Sequence, residues 1–178
     1  PLQLSPDLVI GQIGQSLDGR IATADGHSHY VTGPADIRRL HRLRALVDAV
    51  VVGAGTVAAD NPRLTVRDVE GENPVRVVLD PRGRLQPDRA VFRDGAARTL
   101  VVRLVTTPLF ESSSHCDVLE LPASVPGHDD RDGGEGGFAP ATVIEALRAR
   151  GLRRILVEGG GVTVSRFLQA GALTRLHV

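Results

Sequence analysis

Apolar residues in this chain come in short blocks, and the blocks alternate between two periods. Ala49 to Val52 is an uninterrupted apolar run that breaks into Gly53-Ala54-Gly55-Thr56, as a strand buried on both faces does. Leu8 to Ile13, Val75 to Leu79, Thr99 to Val105, Val118 to Leu121 and Arg154 to Val157 also read as strands. A short alternating segment runs from Leu64 to Arg67, and the closing L-T-R-L-H-V begins like a further strand. Between these blocks the period changes. Gly33-Pro34 opens a helix to about Val47, with proline in its first turn. Ile37, Leu40, Leu43 and Val47 fall on one face of it at about 100° per residue. Ala141 to Arg150 is a second helix, stopped by Gly151, and V-T-V-S-R-F-L-Q-A a third. Strands alternating with helices predict an α/β fold, with a mostly parallel central sheet flanked by helices on both faces.

Two strand ends are rich in glycine, Gly53-Ala54-Gly55-Thr56 and Glu158-Gly159-Gly160-Gly161, and a parallel sheet puts both on one edge. Glycines there let a ligand approach the backbone, and the second loop exposes N–H groups at the positive end of a helix dipole. An anion such as a dinucleotide pyrophosphate suits that position. Neither loop fits G-x-G-x-x-G with an acid about 20 residues on, so a standard Rossmann site is not supported. Glu158 is suited to accept hydrogen bonds from a heterocycle or sugar, or to position a proton donor. A solvated Glu at a tight turn is the plainer alternative.

Arginines bracket the first site at Arg44, Arg63 and Arg67. Arg44 projects between Ile37 and Leu40, on the buried side of its helix, and must find an anion. A ligand phosphate and a salt bridge to Asp48 or a later acid both answer that need. Asp80-Pro81-Arg82-Gly83-Arg84 follows a strand and reads either as a phosphate-holding turn or as an ordinary one. Tyr30, the only tyrosine, sits in a Gly/Ser/His loop as an anchor or a ligand platform. Ser124 to Pro140 is acidic and glycine-rich and reads as a mobile loop; its Asp129, Asp130 and Asp132 lack the spacing and closing Glu of a calcium loop.

At 178 residues the chain is most simply one domain. Lys+Arg and Asp+Glu both number 21, which argues against nucleic acid or an anionic membrane as the main partner. All of the basic residues are Arg; without Lys there is no lysine Schiff base and no Walker-type phosphate loop. A single cysteine, Cys116, forms neither an internal disulfide nor a zinc cluster by itself. No apolar run approaches the ~18 residues of a membrane span, and no signal-peptide pattern opens the chain, so the cytoplasm is the expected location. Met is absent, and the sequence stops partway through a strand, as a piece of a longer polypeptide would.

Five blocks, in order, carry a resemblance. They are S-L-D-G-R-I-A-T (Ser16 to Thr23), H-R-L-R-A (His41 to Ala45), V-V-G-A-G-T-V-A-A-D-N-P-R-L-T-V-R (Val51 to Arg67), L-D-P-R-G-R-L (Leu79 to Leu85) and L-V-E-G-G-G (Leu156 to Gly161). Over almost its whole length the chain resembles the pyrimidine reductase domain of riboflavin biosynthesis, the RibD C-terminal family, which has a dihydrofolate-reductase-like fold. The resemblance implies NADPH-dependent reduction of 5-amino-6-(5-phosphoribosylamino)uracil by hydride transfer to the ribose C1′. It implies a homodimer, a single reductase domain over 1–178, and further C-terminal strands beyond Val178.

Site residues follow from the same resemblance. NADPH contacts are implied for Gly14, Tyr30, Thr56, Asp60 and the loop Gly160, Gly161, Val162, Thr163, Val164, Ser165 and Arg166, with Arg82 near the adenosine 2′-phosphate. Substrate contacts are implied for Ser28, Arg44, Leu64, Arg67 and Glu158, and no metal is implied. Family members usually carry a lysine four residues before the S-L-D-G serine, where this chain has Gln12. With Glu158, Gln12 is the position expected at the chemistry, yet a neutral amide supplies neither charge nor an acidic proton. Two alternatives therefore stay open: a paralogous reductase of a related pyrimidine or pteridine, and a non-catalytic binder of a phosphoribosyl ligand. The zinc deaminase often fused to this domain needs H-x-E and P-C-x-x-C, which one cysteine cannot provide.

Overall fold

The computed structural model describes residues 6–15, 33–106, 115–124 and 137–178. Tyr30, Ser28, the S-L-D-G turn and Asp129, Asp130 and Asp132 lie outside them. The described chain runs β1 (Leu8–Gln12), α1 (Pro34–Leu46), β2 (Ala49–Gly53), α2 (Ala54–Asp60), β3 (Val75–Leu79), α3 (Ala90–Arg93), β4 (Thr99–Leu104), β5 (Cys116–Leu121), α4 (Pro140–Arg148), β6 (Arg154–Glu158), α5 (Gly161–Gln169) and β7 (Arg175–His177). Seven strands form one sheet in the order β5-β4-β3-β2-β6-β1-β7. Each adjacent pair is parallel, where the sequence led us to expect a mostly parallel sheet.

Both faces of that sheet are covered, which is why its strands read as continuous apolar runs. Successive side chains leave a strand on opposite faces. Val50, Val52, Val78 and Leu156 thus join one core with Val57 of α2 and Phe92 of α3. Ala49, Val51, Val77, Ile155 and Val157 join the other, with Leu147 of α4 and Phe167 of α5. The architecture is the expected α/β fold of the dihydrofolate-reductase-like type.

Three local expectations give way to packing. No strand forms over Leu64 to Arg67; Leu64 instead turns left-handed at φ 56° with its side chain buried. Gly53 to Asp60 is not a plain turn but leads into α2, whose Ala54 and Val57 are buried. The stripe predicted on α1 is only partly apolar: Ile37 is 40% exposed, while His41 and Arg44 are the buried residues of that helix.

The chain leaves β2 toward β3 but leaves β6 toward β7, so the connections diverge between these neighbours. A crevice beyond the carboxyl ends of strands at such a switch point is where open α/β sheets bind ligands. Among the described residues no helix is long and apolar enough to cross a membrane.

Candidate functional site

The two glycine-lined tips interlock at that switch point. β2 and β6 are in register through Val51 and Val157, so both strands deliver their loops to one place. The Thr56 hydroxyl accepts the Gly160 N–H at 2.8 Å. A Cβ on Gly159, which has φ 98°, would stand 2.9 Å from that same oxygen. Reciprocally, a Cβ on Gly53 would stand 2.5 Å from Thr163 Oγ1. Each tip leaves out a side chain where the other inserts a threonine hydroxyl.

Beside this lock opens a cavity of about 620 Å³, within the range of small-molecule and cofactor sites. Its walls include Gly55, Thr56, Arg82, Arg84, Gly161 and Arg166, and Phe138 closes one side. The arginines Arg82, Arg84 and Arg166 and the N-terminus of α5 line it together, which suits an anionic, extended ligand. The missing Cβ atoms at Gly53, Gly159 and Gly160 let the two tips close on each other's threonine hydroxyls, and the bare backbone of Gly53 and Gly160 lines the cavity. These features fit a dinucleotide.

The implied cofactor residues divide when placed. Thr56, Arg82, Gly160, Gly161, Val162, Thr163 and Arg166 line the cavity, but Val164 is buried in the core and Ser165 is exposed outside the lining. Gly14 follows β1, and Asp60 ends α2, half-buried. Asp80 is structural: its carboxylate accepts the backbone N–H groups of Arg84 and Leu85 and thereby shapes the turn that carries Arg82.

A second cluster lies beneath α1. Arg44 donates to Glu158 through Nη2 at 2.6 Å and Nε at 3.2 Å, and its Nη1 donates to the Thr65 carbonyl at 3.1 Å. Of the two anions open to Arg44, the structure supplies the later acid, which with the Thr65 carbonyl engages three of the five N–H donors of the guanidinium. Asp48 is not its partner, since it pairs with Arg154. Burial alone would raise the Asp48 carboxyl, but hydrogen bonds from Arg154 and Arg153 outweigh it and hold the group below its ordinary range. Arg67 is the exposed guanidinium here, its Nη1 donating to Thr65 Oγ1 at 3.0 Å. Its backbone N–H donates to Nδ1 of buried His41 at 3.0 Å. Burial, then the nearby Arg44 charge, lowers the His41 pKa, which suits that accepting role.

Gln12 is register partner to Glu158, and its Oε1 accepts an N–H from Arg39 at 2.9 Å. A cation thus reaches Gln12 from α1, although none is present at position 12 itself. Arg39, His41 and Phe138 were not singled out for the site from sequence, and nothing local marked them. Among the described residues no cluster of His, Cys, Asp or Glu is placed to hold a metal ion.

Comparison with known proteins agrees with this geometry. The RibD C-terminal domain model matches residues 7–178. The chain is 34% identical over 175 residues to the 2,5-diamino-6-ribosylamino-4(3H)-pyrimidinone 5′-phosphate reductase of Methanothermobacter thermautotrophicus, covering 96% of this chain and 75% of that protein. It is 32% identical over 168 residues to the riboflavin biosynthesis protein RibD of a Synechocystis strain, covering 94% of this chain but 43% of that one. The solved Thermotoga maritima diaminohydroxyphosphoribosylaminopyrimidine deaminase/5-amino-6-(5-phosphoribosylamino)uracil reductase superposes with a TM-score of 0.73 at 33% identity, covering 92% of this chain and 42% of that one. With its switch-point cleft, its glycine lock and a match along nearly its whole length, the chain belongs to the RibD C-terminal domain family.

Proposed function

We propose that this chain is a single reductase domain that uses NADPH to reduce a phosphorylated ribosylaminopyrimidine in riboflavin biosynthesis, acting in the cytoplasm as a homodimer. The observation that carries the reading is the meeting of the Gly53–Thr56 tip and the Gly160–Gly161 loop at one cleft, with Glu158, held by Arg44, two residues before that loop. Bound there, NADPH would supply the hydride that reduces the ribose C1′. Thr56, the Gly160–Thr163 loop and Arg166 would hold its pyrophosphate, and Arg82 and Arg84 its 2′-phosphate.

On the substrate side, Arg67 is the exposed guanidinium that takes the ribose phosphate, while Arg44 fixes Glu158 so that its remaining lone pairs accept N–H groups of the heterocycle. The protein's share is positioning and electrostatics. Two pyrimidines fit, the 2-oxo form named for the Thermotoga protein and the 2-amino form named for the Methanothermobacter one. Stopped-flow loss of NADPH absorbance with each, against NADH as control, tests the reading. Oxidation with at least one pyrimidine is expected. Oxidation with neither, but with a pterin, would move the assignment to a paralogous reductase.

A further inference from the structure

Gln12 and Glu158 are in register on the parallel neighbours β1 and β6, so their side chains leave the sheet on the same face, beneath α1. Each Glu158 oxygen accepts one N–H from Arg44 and retains lone-pair capacity for a ligand donor. Gln12 is 5% exposed, and among the described residues its side chain makes one hydrogen bond, the one Oε1 accepts from Arg39 Nη2.

A carboxamide can offer either end to a ligand, because its oxygen and nitrogen are nearly the same size. A guanidinium has donors only, so it selects the oxygen end. The Nε2 end of Gln12, with two N–H donors, is therefore turned away from Arg39. Arg39 is itself fixed, its Nε donating to Asp36 Oδ1 at 3.2 Å within α1. On the other side of Gln12 lies its register partner His177, on β7. Burial first, then the Arg39 and Arg175 charges, lowers the pKa of that imidazole, so it adds no competing cation near neutral pH.

We propose that Arg39 is a specificity-determining positioning residue: it pins the Gln12 carboxamide with its N–H groups toward the ligand, so that Gln12 and Glu158 present a donor beside an acceptor. The matching ligand edge carries a carbonyl oxygen next to an N–H, which is the lactam edge of a pyrimidinone. This rests on the reductase reading and deepens it, since it assigns recognition of the heterocycle to a residue of α1 that does not touch it.

Steady-state kinetics at saturating NADPH with the pyrimidine varied test the idea. Arg39→Met should raise the pyrimidine KM about tenfold, the effect of one misaimed hydrogen bond. The KM for NADPH and the melting temperature should not move, the Arg39 side chain being 44% exposed. Arg39→Lys should return the pyrimidine KM to within about threefold of wild type, because an ammonium also has donors only. Gln12→Glu, which exchanges the donor for an acceptor, should impair pyrimidine binding at least as much as Arg39→Met. An unchanged pyrimidine KM in Arg39→Met, or parallel rises in both KM values, overturns the proposal. If the wild-type protein turns over no pyrimidine, the reductase reading fails instead; calorimetric Kd values for the pyrimidine on wild type and Arg39→Met then decide the positioning role by the same ratio.

Discussion

Arg44 grips Glu158 through two donors, at 2.6 and 3.2 Å, with the two side chains only 8% and 5% exposed. The pair joins α1 to the tip of β6 across 114 residues of sequence, and the Thr65 carbonyl occupies a third donor of the guanidinium. Removing one partner leaves the other charge buried. Arg44→Met should therefore destabilise the fold by about 3–5 kcal/mol, measured by urea unfolding. Arg44→Met combined with Glu158→Gln should recover part of that loss. Equal urea midpoints for wild type and Arg44→Met would rule out a structural role for the pair.

Thr56 ties one tip to the other through the Gly160 N–H. Thr56→Val removes the acceptor but keeps the shape, and should weaken NADPH binding about tenfold by freeing the loop at the start of α5. Thr56→Ser retains the oxygen and should bind like wild type. Calorimetry on the three proteins checks the order, and a valine variant that binds as well as the serine one would contradict it.

Gly53 gives way to Thr163, since a Cβ there would come within 2.5 Å of Oγ1. Overpacking of this kind costs about 1–3 kcal/mol, so Gly53→Ala should lower thermal stability. Adding Thr163→Ala should restore most of it, and adding Thr163→Ser, which keeps the oxygen, should not. Melting curves of the two double variants make the comparison direct.

His41 sets a pH dependence. Its folded pKa lies below the ordinary 6.5, first because it is buried and then because of Arg44. Between the folded and unfolded values the unfolded chain binds more protons, so stability rises with pH in that window. The contribution is fully present above about 6.5 and is lost as pH falls through that value to the folded one. Urea unfolding at stepped pH should show wild type weakening below about 6.5. His41→Gln should weaken less steeply over the same range, and parallel slopes would refute the assignment.

Much of the fold was legible in consecutive residues. β3 spans the Val75 to Leu79 run expected for it, α1 starts at the proline after Gly33, and Gly151, at φ 80°, follows the end of α4. Periodicity and turn chemistry are local properties, and here no tertiary contact overrides them. The two glycine tips and their shared sheet edge were likewise readable, because parallel strands joined by helices bring their carboxyl ends to one side. Where packing competes with propensity, the sequence was a poor guide. Gly53-Ala54-Gly55-Thr56 has little intrinsic helical preference, and α2 forms there with Ala54 and Val57 buried in the core.

What the sequence determined by itself was the alternation of strands and helices, the glycine stops, and an arginine on a buried helix face that had to meet an anion. Which anion it meets was settled only by the insertion of β6 between β2 and β1, which carries Glu158 under α1. The same insertion puts Gln12 in register with Glu158, within reach of Arg39. Strand order and cross-sheet register depend on how distant segments pack together, and no periodicity of neighbouring residues encodes them.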